Sequence, residues 1–128
     1  MRYLLDTHAF LWLAHQSTSL SGQAREIMAD SDNVLFLSLA SIWELQIKAQ
    51  IGRLELARPS VDIVREQQEV NQIQLLPIIL EHIIALEDLP QHHQDPFDRM
   101  LIAQARHEDM PIITKDTKIA KYPVTILW

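Results

Sequence analysis

Short, mainly apolar runs alternate along this chain with longer stretches of helical periodicity, and this alternation is what most constrains the fold. These runs lie at residues 3–5, 34–37, 73–76, 110–114 and 124–127. The runs at 3–5 and 34–37 are continuously apolar, which is typical of strands buried on both faces. Strands of this kind separated by helices predict an α/β domain with a mainly parallel central sheet.

The intervening stretches carry helix start and stop signals. Helices are predicted over 20–29, 38–50, 59–70, 80–86 and 96–107, with a polar loop over 88–94. Ser19 or Ser21 can cap the first of these helices, Ser38 the second, and Gly52 can end the second as the residue after its C-cap. Asp6 can cap a further short helix that runs into residues 10–13.

Composition excludes several classes of protein. With 48% hydrophobic residues among 128, the chain can bury a sizeable core, and we expect one domain over residues 1–128. Cysteine is absent, which excludes disulfide frameworks and thiolate chemistry. No stretch is apolar enough for a membrane span, and the N-terminal run is too short for a signal peptide. We therefore expect a cytoplasmic protein with no membrane association.

Charge is unfavourable for broad nucleic-acid binding but is unevenly distributed. The formal net charge is −6, whereas duplex binding usually needs a wide basic surface. Five of the eleven cations fall in the last thirty residues: Arg99, Arg106, Lys115, Lys118 and Lys121. An ordinary solvated surface and a nucleic-acid contact both remain open for this group.

Acidic residues stand where the predicted strands end. Asp6 follows the first strand and Asp116 follows the strand at 110–114. Glu44 lies in the helix after the second strand, and Asp98 lies in the first turn of the helix at 96–107, with Asp95 just before it. In parallel sheets ligands bind outside the carboxyl ends of the strands. The topology therefore predicts that these acids meet at one edge of the sheet.

Each acid also has a purely structural explanation as a helix cap, a capping-box residue or a first-turn charge. Together they favour a metal site, because two carboxylates about 5 Å apart repel by roughly 3 kcal/mol at an effective dielectric near 20. Hard carboxylate oxygens without histidine or cysteine select Mg²⁺ or Mn²⁺ over zinc. Carboxylate-held divalent ions are a known solution for phosphodiester hydrolysis.

Other chemistries have little support. The adjacent His92 and His93 do not form a zinc motif, and serine-nucleophile and phosphate-loop motifs are absent. Trp12, Trp43 and Trp128 could stack on bases, although tryptophans on apolar segments more often pack in a core or a dimer contact.

Four short segments follow one another along the chain in a specific order. They are Leu-Leu-Asp-Thr-His at 4–8, Ser-Ile-Trp-Glu at 41–44, Asp-Pro-Phe-Asp-Arg at 95–99 leading into Leu-Ile-Ala-Gln-Ala at 101–105, and Thr-Lys-Asp at 114–116. Each motif alone is weak, but their order and spacing are specific. Through them the chain resembles PIN-domain ribonucleases, and within them the VapC-like toxins of type II toxin–antitoxin systems, over essentially its full length.

The resemblance implies a three-layer α/β/α PIN-like fold and Mg²⁺- or Mn²⁺-dependent endoribonuclease activity on RNA. It also implies a homodimer and a small cognate antitoxin. Carried over by position, it assigns the catalytic and metal-binding roles to Asp6, Glu44, Asp98 and Asp116, with Asp95 as an additional candidate ligand. Supporting roles around the metal or in RNA contact go to Thr7, Thr114, Arg99 and Lys115.

Two other readings remain open. A non-catalytic PIN-like binding module would use the same fold with its acids as caps and surface. A response-regulator-like domain also gathers acids at strand ends, but it needs two adjacent acids near the first strand, where Asp6 stands alone.

Overall fold

The structure is a computed structural model that describes residues 1–92 and 95–128. The elements in chain order are β1 (Arg2–Leu5), α1 (Thr7–Ala14), α2 (Gly22–Ala29), β2 (Val34–Ser38), α3 (Leu39–Gln50), α4 (Ser60–Val70), β3 (Gln74–Leu76), α5 (Leu80–Ala85), α6 (Pro96–Glu108), β4 (Ile112–Ile113) and β5 (Ile126–Leu127). Short 3₁₀ turns cover Leu86–Asp88 and Ile119–Lys121.

Within the described residues the strands form one five-stranded sheet in the order β3-β2-β1-β4-β5, and every neighbouring pair is parallel. The predicted α/β class with a parallel central sheet is thereby confirmed. β1 lies in the middle, where Leu4 is aligned with Phe36 of β2 and with Ile112 of β4. After β1 the chain adds β2 and β3 on one side of it, and later adds β4 and β5 on the other side. The direction in which strands are added therefore reverses between β1 and β4.

Helices cover both faces of the sheet, which gives three layers. Successive residues of β1 point to opposite faces, as they do in any strand. Leu5 packs in one apolar cluster with residues of α1, α2, α3 and α4, whereas Leu4 packs in a second cluster with residues of α6. Both leucines are fully buried. Burial on both sides explains why the central strand β1 has consecutive leucines at positions 4 and 5.

Several predicted boundaries are wrong by a few residues. The strand predicted over 110–114 is reduced to Ile112–Ile113, and the one over 124–127 to Ile126–Leu127. The helix predicted from residue 20 begins at Gly22, because the Ser21 side chain accepts the Ala24 N–H as its cap. The predicted loop over 88–94 is only partly described, since 93 and 94, including His93, lie outside the described residues.

No helix in the described part of the chain is long and apolar enough to cross a membrane.

Candidate active site

The reversal of strand order opens a crevice beyond the carboxyl ends of β1 and β4, the place where open α/β sheets bind ligands. Asp6 directly follows β1, and its backbone N–H bonds the Ile113 carbonyl at the end of β4. Thr114 directly follows Ile113, and Asp116 comes two residues later. The two strand ends therefore bring Asp6, Thr114 and Asp116 to one edge of the sheet, as the sequence predicts.

The buried Asp6 carboxylate is held by two hydrogen bonds. Its Oδ1 accepts the Ala9 N–H at 2.7 Å, which caps α1, and its Oδ2 accepts the Thr114 hydroxyl at 2.5 Å. Burial raises the pKa of Asp6, the two hydrogen bonds and the charge of His8 lower it, and the charge of Asp116 raises it. Asp6 is thus a helix cap that also interacts electrostatically with Asp116, so the structural and the functional explanation coexist.

Glu44 is buried at the start of the second turn of α3. Ser38 caps this helix by accepting the Ala40 N–H at 3.0 Å, so Glu44 is not a capping-box residue of a helix starting at Ser41. The Glu44 Oε1 accepts the Thr7 hydroxyl at 2.6 Å, and its Oε2 forms an ion pair with the Lys48 ammonium at 2.8 Å. Lys48 lies one turn further along the helix than Glu44. This i,i+4 spacing is a sequence signal for the ion pair, and the sequence-based predictions did not include it.

Asp95 and Asp98 have different roles at the start of α6: Asp95 caps the helix, and Asp98 interacts with the other acids. The Asp95 Oδ1 accepts the backbone N–H groups of Phe97 and Asp98, at 2.8 Å and 3.3 Å, which is the predicted cap before a proline. Asp98 is only half-buried, yet its pKa is raised to about 7. Burial is the largest cause, followed by the negative charges of Asp95, Glu44, Asp116 and Asp6. Asp98 therefore interacts electrostatically with each of the other three predicted acids.

The donor set fits a hard divalent cation. Carboxylate oxygens are the donors that Mg²⁺ and Mn²⁺ prefer, and the raised pKa of Asp98 reflects an excess of negative charge that a cation would offset. In the described residues, no three of these carboxylates bring oxygens within 4.8 Å of one another. Glu44 is instead held by Thr7 and Lys48. Asp6, Glu44, Asp98 and Asp116 are the residues that would hold the cation.

A different group meets the 4.8 Å spacing within the described residues, namely His82, His107 and Glu108. It lies at the opposite end of α6 from Asp98. The His82 Nδ1 accepts the Ile79 N–H at 3.2 Å, so the ring proton is on Nε2, which donates to the Glu108 carboxylate at 3.0 Å. This arrangement fits a structural hydrogen bond rather than a metal ligand, whose second ring nitrogen normally donates.

The two predicted phosphate-contacting cations have different surroundings. The Arg99 guanidinium donates to the carbonyls of Pro90 and Leu86, at 2.8 Å and 3.3 Å, and to the Tyr122 hydroxyl. These bonds attach α6 to the preceding loop, so the geometry argues against the phosphate contact suggested for Arg99. Lys115 is exposed beside Asp116 and remains available for that role.

The three tryptophans have different surroundings. Trp43 is 58% exposed, so it is not a core residue, and its ring meets the Phe97 ring edge-on with centroids 5.4 Å apart. Trp12 packs against the core and edge-on against Trp128.

Comparison with known proteins agrees with this geometry. The PIN domain family model matches residues 3–124. The chain is similar to Ribonuclease VapC22 of Mycobacterium tuberculosis, with 27% identity over 96% of each chain. Among solved structures it resembles VapBC2 from Rickettsia felis bound to a promoter DNA fragment, with TM-score 0.72, 13% identity and coverage of 99% and 98% of the two chains. It also resembles the sarcin-ricin-loop-cleaving toxin VapC20 of M. tuberculosis, with TM-score 0.65, 13% identity and coverage of 93% of each chain.

The family model spans nearly the whole chain, and the fold and the acidic crevice agree with it. This chain belongs to the PIN domain family.

Proposed function

We propose that this chain is a metal-dependent endoribonuclease, the toxin component of a toxin–antitoxin pair, which hydrolyses RNA phosphodiester bonds with an activated water. The observation that carries the proposal is the electrostatic interaction of Asp98 with Asp6, Glu44 and Asp116 at the switch point of a parallel sheet. A non-catalytic binding module is not favoured. Caps and surface acids do not need to be gathered where their charges oppose one another's ionisation.

The four acids are the proposed catalytic and metal-binding residues. Asp6, Glu44, Asp98 and Asp116 would hold Mg²⁺ or Mn²⁺, which when bound lowers the pKa of water and offsets charge on the phosphate. Asp95 caps α6 and adds negative charge beside Asp98.

The hydroxyls next to these acids orient them. Thr7 fixes one oxygen of Glu44, and Thr114 fixes one oxygen of Asp6. Both donors orient the carboxylates, as groups behind metal ligands do. Lys115 would contact the RNA backbone beside the crevice.

An antitoxin is the proposed protein partner, and the cytoplasm the proposed location. Among the solved structures that share this fold is a toxin–antitoxin complex from Klebsiella pneumoniae, and the curated relative is a ribonuclease. The antitoxin would lay an amphipathic segment over the crevice and exclude RNA from it. All of residues 1–128 would form the single nuclease domain.

A homodimer is proposed through the apolar surface of α5 and the residues before it. Five large aliphatic side chains are between 37% and 66% exposed there: Ile78, Ile79, Leu80, Ile83 and Ile84. A contiguous apolar patch of this kind on a soluble chain marks an interface. Two copies of one helix face can cover each other about a twofold axis, which makes a second copy of this chain the fitting occupant.

Calorimetric titration with Mn²⁺, paired with a cleavage assay on single-stranded RNA, tests the nuclease proposal. We expect Asp6→Asn and Asp116→Asn to abolish both Mn²⁺ binding and cleavage while leaving the circular dichroism spectrum unchanged. Asp32→Asn, an exposed acid before β2, is the matched control and keeps both. EDTA should stop cleavage by the unmodified chain. Mn²⁺ binding that survives Asp116→Asn, together with no cleavage by the unmodified chain, would favour the binding module.

A further inference from the structure

A second cavity opens beside the acidic crevice, on the side of α1 and α3. It has a volume of about 310 Å³, an apolar floor of Leu11, Leu45 and Leu54, and a polar rim formed by Thr7, His8, Lys48 and Arg53. Two of its rim residues are permanent cations, in a chain whose net charge is −6. This cavity, called the basic pocket below, is therefore a local exception to the charge of the protein.

The basic pocket shares a wall with the acidic crevice. Thr7, on its rim, donates its hydroxyl to Glu44, and Lys48, also on the rim, forms the ion pair with the other Glu44 oxygen. His8, also on the rim, lies two residues after Asp6 in the chain. A ligand in the basic pocket would thus lie immediately next to one that is held by the acids.

The turn after α3 brings Arg53 back to this pocket. Ile51 ends the helix, Gly52 follows with a φ of +76°, and the Arg53 N–H bonds the Lys48 carbonyl at 2.9 Å. The Gly52 N–H bonds the Ala49 carbonyl, so the two bonds form a Schellman motif. This motif reverses the chain so that the backbone of Arg53 bonds the same helical turn that carries Lys48.

Arg53 has no structural task that explains its position. Within residues 1–92 and 95–128 its guanidinium makes no ion pair and no side-chain hydrogen bond, and the residue is exposed. An arginine and a lysine beside apolar side chains form a suitable site for a phosphate group. RNA carries a phosphate at every nucleotide, so a strand whose scissile phosphate lies at the metal site of the acidic crevice presents the next phosphate nearby.

We infer that the basic pocket binds the RNA phosphate adjacent to the scissile one, with Arg53 and Lys48 as its cationic contacts. The inference rests on the proposed nuclease function and deepens it. It also explains how a chain of net negative charge holds a polyanion: attraction is concentrated beside the crevice rather than spread over the surface. An acidic segment of a protein partner is the competing occupant, and the experiment separates the two.

Fluorescence anisotropy with a labelled single-stranded RNA tests the inference without relying on cleavage. Titrations in EDTA, which keeps the RNA intact, are repeated over a series of KCl concentrations. Each phosphate contact contributes about 0.7 to the slope of log affinity against log salt for a single strand. Arg53→Ala should therefore reduce the slope by about 0.7 and weaken binding across RNA sequences, while Arg53→Lys should keep most of the slope.

Arg106→Ala is the matched control, because Arg106 is an exposed arginine near the far end of α6 and its loss changes the net charge equally. A slope for Arg53→Ala equal to that of Arg106→Ala would overturn the inference, whether or not the chain cleaves RNA. That result is also the one expected if a protein partner occupies the pocket. If RNA binding shows the Arg53-dependent slope but the chain never cleaves RNA, the basic pocket binds phosphate and the nuclease proposal is wrong.

Discussion

The Thr114 hydroxyl donates to the Asp6 carboxylate at 2.5 Å, which joins residues 108 positions apart in the chain. Thr114 follows β4 and Asp6 follows β1, so this bond connects the two strand ends that form the crevice. The same Thr114 oxygen accepts the Asp116 N–H at 3.0 Å. The buried Thr114 hydroxyl therefore fixes the side chain of Asp6 and the backbone of Asp116.

Thr114→Val keeps the shape of this side chain but removes the hydroxyl, leaving a buried Asp6 oxygen without its donor. We expect a loss of about 1–3 kcal/mol in the free energy of unfolding, measured by urea denaturation. RNA cleavage or Mn²⁺ affinity should fall about 10- to 100-fold, as for other groups that orient metal ligands. Thr114→Ser retains the hydroxyl and should retain most of the cleavage. Equal cleavage by the valine and serine variants would show that the hydrogen bond from Thr114 to Asp6 does not contribute to cleavage.

Asp98 should make the metal-free chain less stable as pH rises. Its pKa is about 7 in the folded chain against 3.8 for the ordinary group. Between these values the unfolded chain loses the proton while the folded chain keeps it, so the free energy of unfolding falls with rising pH across this window and levels off above about 7. Melting temperatures in EDTA from pH 4 to pH 8 measure the trend.

Asp98→Asn is the control for this pH dependence. It removes the titrating group, so the fall in stability over pH 4 to 7 should be smaller than in the unmodified chain. Because Mn²⁺ offsets the charge of the ionised acids, its addition should raise the melting temperature of the unmodified chain more at pH 8 than at pH 5. An unchanged pH profile in Asp98→Asn would contradict the assigned cause.

Gly52→Ala should destabilise the turn after α3. The φ of +76° is unfavourable for a side chain, while no heavy atom lies within 4 Å of a Cβ added there, so the cost comes from the backbone alone. That cost is about 1–2 kcal/mol, measurable by urea denaturation. Gly52→Asn should cost less, because asparagine tolerates the left-handed region. Equal losses for the two variants would show that backbone conformation is not the reason for glycine.

The α5 surface should be needed for self-association. Ile84→Glu places a charge in the exposed apolar patch, and we expect sedimentation velocity to show a shift from dimer to monomer with no change in the circular dichroism spectrum. Val61→Glu, an exposed apolar position on α4, is the matched control and should remain dimeric. A dimer that persists in Ile84→Glu would show that the interface does not lie on the α5 surface.

The positions of the acids could be predicted because they follow from topology. A parallel sheet places all carboxyl strand ends at one edge, so Asp6 and Asp116 had to approach each other once the strands were recognised. The helix caps were also predictable, as Ser38 and Asp95 illustrate, since capping depends on residues within three positions.

Contacts between distant segments could not be predicted from local signals. The hydrogen bond from Thr7 to Glu44 joins helices that only tertiary packing brings together. The same is true of Arg99, whose guanidinium is bonded to a preceding loop and to Tyr122, and therefore does not serve as a free cation. Strand lengths were overestimated near Thr114, because an apolar run continues beyond the residues that pair with a neighbouring strand.

The central position of β1 has a consequence for biosynthesis. The first strand made pairs with β2 early, but its other neighbour, β4, and the acid beyond it are made only near residues 112–116. A growing polypeptide therefore carries Asp6 and Glu44 without the opposite wall of their cleft until residues 112–116 have been made. Under the proposed function, the nuclease site is complete only when these late segments have inserted beside the first strand.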